Sequence, residues 1–197
     1  MRRQAPAAAR NRQPILDVLT PHLPTQGLVL EIASGSGEHI VYFAEALPDL
    51  VFQPSDPSPE ARASIDDWVQ ALALGNVCPA LALDAAGDVW PLERADTVIC
   101  CNMIHIAPWE AAVGLIAGAG RILPKGGTLY LYGPYRRSGR HTAPSNEAFD
   151  LDLRRRNPAW GVRDLEAVTA LAQAQGFGAP EIIDMPANNL SLVFKRA

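Results

Sequence analysis

Four polar residues, Glu31, Asp56, Asp84 and Asn102, each close a short apolar run, and Ser34-Gly35-Ser36-Gly37 follows the first of them. Glycines let a backbone turn tightly and approach a ligand with no Cβ in the way. Such a loop alone is a weak sign, because NAD, FAD and phosphate sites use it too. Two residues narrow the choice. A dinucleotide fingerprint with Gly35 and Gly37 as its first glycines needs a third at position 40, where Ile40 stands. Glu31 sets a carboxylate beside the place where a pyrophosphate would rest, and like charges oppose that. A ligand with a cationic amine and a sulfonium suits the acid better, which points to S-adenosylmethionine. Asp56 lies 19 positions after Gly37, where an acid accepts hydrogen bonds from ribose hydroxyls or merely caps the turn into Pro57-Ser58-Pro59. As a strand-end residue outside the core, it is not expected to be needed for folding. Asp84 either accepts from an adenine amino group or closes a local Asx turn. Asn102 and Met103 are expected near the methionine end of the ligand and the acceptor.

Reactive groups are fewer. His105 is the candidate general base, set against a packed histidine at the start of a helix. Tyr132 and Tyr135 bracket Gly133-Pro134 and are candidates for lining an acceptor pocket, or for core and wall. Cys100-Cys101 lack a partner at metal-ligand spacing and read as inert strand residues, so no metal is expected. Arg10 and Arg12 read as surface residues by default.

The elements that must position these residues alternate. Strand-like runs occupy Leu28 to Ile32, Val51 to Asp56, Val77 to Leu83, Thr97 to Cys101 and Thr128 to Tyr132. Helical spacing covers Glu38 to Leu47, Pro59 to Leu74, Trp109 to Leu123 and Asp164 to Gln175, the last with Gly176 as its C-cap. Such alternation implies βαβ crossovers and a parallel sheet covered on both faces, with ligands bound at the carboxyl ends of the strands. Two last strands, Glu181 to Met185 and Leu190 to Phe194, are joined by so short a link that they must be antiparallel. Residues 134–163 form a long insertion, expected to be a lid over the acceptor site. It carries seven arginines and three acids in a chain whose net charge is −4. That excess suggests a basic lid over an acceptor bearing a carboxylate or phosphate.

The chain has 197 residues, 48% of them hydrophobic and 19% charged, enough for one domain, 1–197, with a sizeable core. The small negative charge argues against bulk attraction to nucleic acid or acidic membrane. No apolar run approaches the ~20 residues a membrane span needs. Arg10 and Arg12 interrupt any signal-peptide segment, and three cysteines make no disulfide framework. A cytoplasmic protein is expected; its oligomeric state is not legible.

Together these features resemble the class I S-adenosylmethionine-dependent methyltransferases over most of the chain. A closer likeness is to the family that includes methyltransferase-like 26. It is carried by Ala9-Arg10-Asn11-Arg12, Glu31 to Gly37, Gln53-Pro54-Ser55-Asp56, Asn102-Met103-Ile104-His105, Tyr132-Gly133-Pro134-Tyr135, Ser145-Asn146, Arg156-Asn157-Pro158 and Asp184 to Asn189. The resemblance implies a Rossmann-like α/β fold with seven strands ordered 3-2-1-4-5-7-6, helices on both faces and a final antiparallel hairpin. It also implies S-adenosylmethionine as cofactor, S-adenosylhomocysteine as product, and a small-molecule acceptor. Cofactor contacts are then expected from Arg12, Glu31, Ala33, Gly35, Gly37, Asp56, Asp84, Asn102 and Met103. Ala33 stands where the broader family often has glycine, a change without cost while its φ stays negative. A nicotinamide oxidoreductase and a non-catalytic binding protein with the same fold are the competing classes.

Overall fold

A computed structural model describes all of residues 1–197. Its main sheet has six strands: β1 (Gly27–Ile32), β2 (Leu50–Pro54), β3 (Thr97–Cys101), β4 (Thr128–Gly133), and two late strands, β8 (Glu181–Met185) and β9 (Asn189–Lys195). Their order is β2-β1-β3-β4-β9-β8. The first four are mutually parallel, and β9 runs antiparallel to both β4 and β8. The expected hairpin is therefore present, and the expected seventh strand is not.

Residues 77–83, read as a strand, make only isolated bridges, Val77 to Phe52 of β2 and Leu81 to Ser55 just past its end. They run beside it, with Cys78 N–H donating to Phe52 and Leu81 N–H to Pro54. The ladder breaks because Pro54 and Pro79 have no N–H to give. A small second sheet was not foreseen. It joins β5 (Tyr135–Arg137), β6 (Arg140–His141) and β7 (Arg163–Asp164), all within or at the edge of the insertion. The insertion also holds a helix, α5 (Pro144–Arg156), so it is a folded unit and not an open loop.

Helices α1 (Pro6–Leu19), α2 (Glu38–Ala46) and α3 (Pro59–Leu72) cover one face of the sheet. Helices α4 (Trp109–Ile122) and α6 (Leu165–Ala174) cover the other. Strand side chains alternate between the faces. Leu30, Ile32, Val98, Cys100, Leu129 and Leu131 pack with α4 and α6, while Val29, Ile99, Tyr130 and Tyr132 pack with α1 and α2. The same alternation sends Glu31, Cys101 and Tyr132 to the α1/α2 face at the carboxyl end of the sheet. Helix α1 was not legible as an element. It buries Ala8, Ile15, Leu16 and Leu19, and its other turn carries polar residues over the strand ends. No helix is long and apolar enough to cross a membrane.

Candidate functional site

The loop from β1 to α2 is held from below by Asp56. One carboxylate oxygen accepts from Gly35 N–H at 3.0 Å and the other from Ser58 N–H at 2.9 Å. Ser55 completes the clamp, its hydroxyl donating to the Glu31 carbonyl at 2.7 Å. Asp56 thus caps the turn into Pro57-Ser58-Pro59 and anchors the loop through Gly35. Gly37 opens α2 with φ at +91°, and a Cβ there would stand 3.0 Å from the Ile65 backbone. Only glycine meets both demands. Ala33 departs from expectation: its φ is +56°, in the left-handed region that L-residues avoid.

Glu31 is buried, and its Oε2 has no hydrogen-bond partner. Burial pushes its carboxyl up to about 7, against the ordinary 4.5, with the Asp56 charge adding in the same direction. A cation brought beside it would restore the ionised form. His39 of α2 lies close by, its Nε2 2.7 Å from the Asn11 carboxamide oxygen, and burial holds its imidazole down to about 4. Arg12 stacks over the Tyr42 ring at 4.3 Å and reinforces that shift. Arg12 therefore stands behind the loop and lines neither of the two cavities at this end of the sheet.

The first cavity, about 550 Å³, opens at the ends of β1 and β2. Ala33, Asp56, Asp84 and Met103 line it, with Leu83 and Ile106 among its apolar walls. Four of the expected cofactor residues thus meet in one place. Asp84 closes an Asx turn through the Ala86 N–H at 3.0 Å, the local reading of it, while it also stands on the cavity wall. Apolar walls with carboxylates from Asp56 just past β2, Asp84 past the extended 77–83 segment and Glu110 of α4 suit a nucleoside.

A second cavity, about 470 Å³, lies beyond β3 and β4. Asn102 and Tyr132 line it from the sheet, Arg10 and Asn11 from α1, Ser145 and Asn146 from α5, and Asn189 from β9. Ile106 lines both cavities, so they adjoin. Asn102 holds φ at +64° where the chain leaves β3, which places it and Met103 on the two cavities. Asn11, Asn146 and Asn189 were visible only as motif residues, because their meeting depends on tertiary packing across most of the chain. Arg10, read as a surface residue, is exposed and yet lines this cavity.

Of the three candidate reactive residues, only Tyr132 reaches a cavity wall. Burial raises its phenol, and the neighbouring Asn11 and Asn189 carboxamides act in the opposite direction. His105 is fully buried, edge-on to Tyr135 with ring centroids 5.0 Å apart. Its Nδ1 accepts from Arg163 N–H at 3.2 Å, and burial lowers its imidazole to about 3. Tyr135 is fully buried too, its phenol pushed well above the ordinary value. Both residues join the insertion to the sheet, and neither is placed to exchange a proton with a ligand in either cavity.

Five of the seven arginines of the insertion are committed elsewhere. Arg136 pairs with Asp164 at 2.8 Å, Arg137 with Asp184 at 3.7 Å, Arg154 with Asp150 at 3.1 Å and Arg156 with Asp152 at 3.8 Å. Arg163 donates to the carbonyls of Ile104, Ala107 and Ala159. None of the seven lines either cavity. The expected basic lid is therefore absent as a ligand-facing surface.

One constellation escaped the sequence reading. Single ligand atoms of Glu31, His39 and Cys101 lie within 4.8 Å of one another. They come from β1, α2 and β3, so no local spacing announced them. Burial keeps the Cys101 thiol well above its ordinary value, and Cys100, facing the opposite core, is pushed to about 12. Both thiols therefore stay protonated at neutral pH while no cation is beside them.

The profile of the family described as "Protein of unknown function (DUF938)" matches residues 2–196. Solved structures resemble the fold over nearly all of the chain. An O-methyltransferase family protein from Burkholderia thailandensis aligns with a TM-score of 0.81 at 20% identity, covering 97% of this chain and 57% of that one. An O-methyltransferase family 2 protein from Planctomyces limnophilus, in complex with apigenin, aligns at 0.79 and 18%, covering 97% and 60%. Human N-acetylserotonin methyltransferase, in complex with S-adenosylmethionine, aligns at 0.79 and 15%, covering 97% and 53%. The fold is thus the α/β methyltransferase fold, and the chain spans somewhat more than half the length of these neighbours.

Proposed function

The chain belongs to the DUF938 family, and from that premise we propose that it transfers a methyl group from S-adenosylmethionine to a small-molecule acceptor. One observation carries the reading: a buried Glu31 carboxyl with an unpartnered Oε2 at the foot of the glycine loop, which lines neither cavity itself but is followed directly by Ile32 and Ala33, both on the wall of the 550 Å³ cavity. A pyrophosphate would be repelled there, and a cationic ligand satisfies both the charge and the missing hydrogen bond. The residues present fit the cofactor. Asp56 and Asp84 offer acceptors for ribose and adenine, Ala33 and Met103 wall the cavity, and Gly35 and Gly37, off the cavity wall, supply the positive φ values on which the loop turns. Asn102 holds the boundary between donor and acceptor spaces. When bound, the cofactor supplies an already activated methyl group, so the chain's task is alignment. Positioning of this kind accounts for as much as ~7–11 kcal/mol of barrier lowering.

The chain is read as a single domain, 1–197, in which 134–163 closes the acceptor side through Pro134, Ser145 and Asn146. The kinship with methyltransferase-like 26 is supported by the way Arg10-Asn11, Asn102, Tyr132, Ser145-Asn146 and Asn189, far apart in sequence, line one cavity. Incubation with methyl-labelled S-adenosylmethionine and a deproteinised small-molecule extract tests the function. Label is expected in a small-molecule product. Cofactor binding with no label transfer to any fraction would favour a non-catalytic binding protein.

A further inference from the structure

We propose that the 470 Å³ cavity takes an acceptor that arrives already ionised, as an oxyanion such as a carboxylate, and that Arg10 selects it; this rests on the methyl-transfer reading above. The wall of the cavity contains one cation, Arg10, and no carboxylate, imidazole, amine or thiol. Arg10 makes no ion pair and no side-chain hydrogen bond. In that it differs from Arg136, Arg137, Arg154, Arg156 and Arg163, whose guanidinium groups are engaged. Its planar fork is free to donate two parallel hydrogen bonds to an oxyanion.

The rest of the wall is polar and neutral. Asn102 offers a carboxamide with no hydrogen-bond partner, and the Ser145 hydroxyl, which accepts from Asn188, retains its own proton to donate. Ser145 and Asn146 sit in the first turn of α5, a helix of 13 residues whose N-cap, Ala143, has no capping side chain. The positive end of that helix adds to the same field.

The missing group is a base. A neutral alcohol must lose its proton during attack and needs an acceptor for it within reach. Tyr132 is a phenol raised by burial and stays protonated. His105 lies off the cavity wall with Nδ1 occupied by the Arg163 N–H. An oxyanion needs neither. In the transfer, the methyl–sulfur bond breaks with its electron pair kept by sulfur, while an oxygen lone pair of the acceptor forms the new bond to carbon. A cation and an anion become two neutral products, and no proton moves. The methylated product has lost the charge that Arg10 recognised, which favours its release.

Three probes of one shape test this: benzoate, benzamide and benzyl alcohol, each titrated calorimetrically into the full chain with and without saturating S-adenosylhomocysteine. Benzoate is expected to bind at least tenfold more tightly than either neutral probe. Arg10→Gln is expected to remove that preference while leaving benzamide binding and S-adenosylhomocysteine affinity within twofold. Arg10 is exposed, so this variant should fold, and Arg137→Gln, off the cavity, serves as the unchanged control. Equal or weaker binding of benzoate, no benzoate binding at millimolar concentration, or an unaltered preference in Arg10→Gln would each overturn the proposal. Failure of S-adenosylhomocysteine to bind would instead strike the methyl-transfer reading. The benzoate titration without it reports on Arg10 separately.

Discussion

Replacing Glu31 by Gln removes a buried charge while keeping the side chain's shape. In the ligand-free protein, burial raises this carboxyl from 4.5 to about 7. The folded state therefore holds a proton that the unfolded chain releases, and stability falls as pH rises through that window. The span of 2.5 units, at 1.36 kcal/mol each, gives an upper figure of about 3 kcal/mol. Water drawn toward the carboxylate reduces this, so a loss between about 1 and 3 kcal/mol is expected from pH 4.5 to 8. For a chain of this size, that is a fall of roughly 2–12 °C in melting temperature. Glu31→Gln should show none of this component. Ligand-free Glu31→Gln should match wild type near pH 4.5 and melt higher at pH 8. Its affinity for S-adenosylhomocysteine, whose amine is the cation, should fall. The assay is thermal unfolding of both proteins across pH 4.5 to 8, with and without that ligand. Parallel curves for the two ligand-free proteins would refute the reasoning, because Glu31 would then carry its charge without cost.

Three further outcomes follow from the geometry. Asp56→Ala leaves the N–H groups of Gly35 and Ser58 without their acceptor, and should destabilise the ligand-free protein by about 1.5–3 kcal/mol. The same variant should weaken S-adenosylhomocysteine binding roughly 10- to 150-fold; an unchanged melting temperature would remove Asp56 as the loop's anchor. Ala33→Gly relieves a residue at φ +56° and should stabilise the fold by about 0.5–1 kcal/mol after the added chain entropy, read by urea unfolding. Arg136→Ala breaks a partly exposed pair with Asp164 and should cost about 1 kcal/mol or less, with benzoate affinity unchanged. A selective loss of anion binding in that variant would return the insertion's arginines to the acceptor site.

What the sequence disclosed, and what it withheld, divides along physical lines. The loop from Glu31 to Gly37 and the strand-end acids were legible because strand, turn and helix signals are local and each lies within a few residues. The hairpin of β8 and β9 was legible because a short link leaves one geometry. The edge strand at residues 77–83 was misread because its hydrophobic pattern is sound, and only the prolines at 54 and 79 break the ladder. Helix α1 was overlooked because its early turns are rich in Ala, Arg and Asn, and its buried residues cluster late, at Ile15, Leu16 and Leu19. The arginine excess of the insertion misled for a different reason. Charge counting cannot see Asp164 and Asp184, which lie outside the counted residues and neutralise Arg136 and Arg137. Arg10 gained its place only when α1 was laid across the strand ends.

The central claim is that the cavity at the ends of β1 and β2, walled by Ala33, Asp56, Asp84 and Met103, binds S-adenosylmethionine and its product. Calorimetric titration of the purified full chain with S-adenosylhomocysteine, and separately with NAD, tests it most directly. The account predicts one site per chain for S-adenosylhomocysteine, a melting temperature that rises with its concentration, and no comparable binding of NAD. NAD binding as tight or tighter, or no S-adenosylhomocysteine binding by a protein whose unfolding is cooperative, would contradict it.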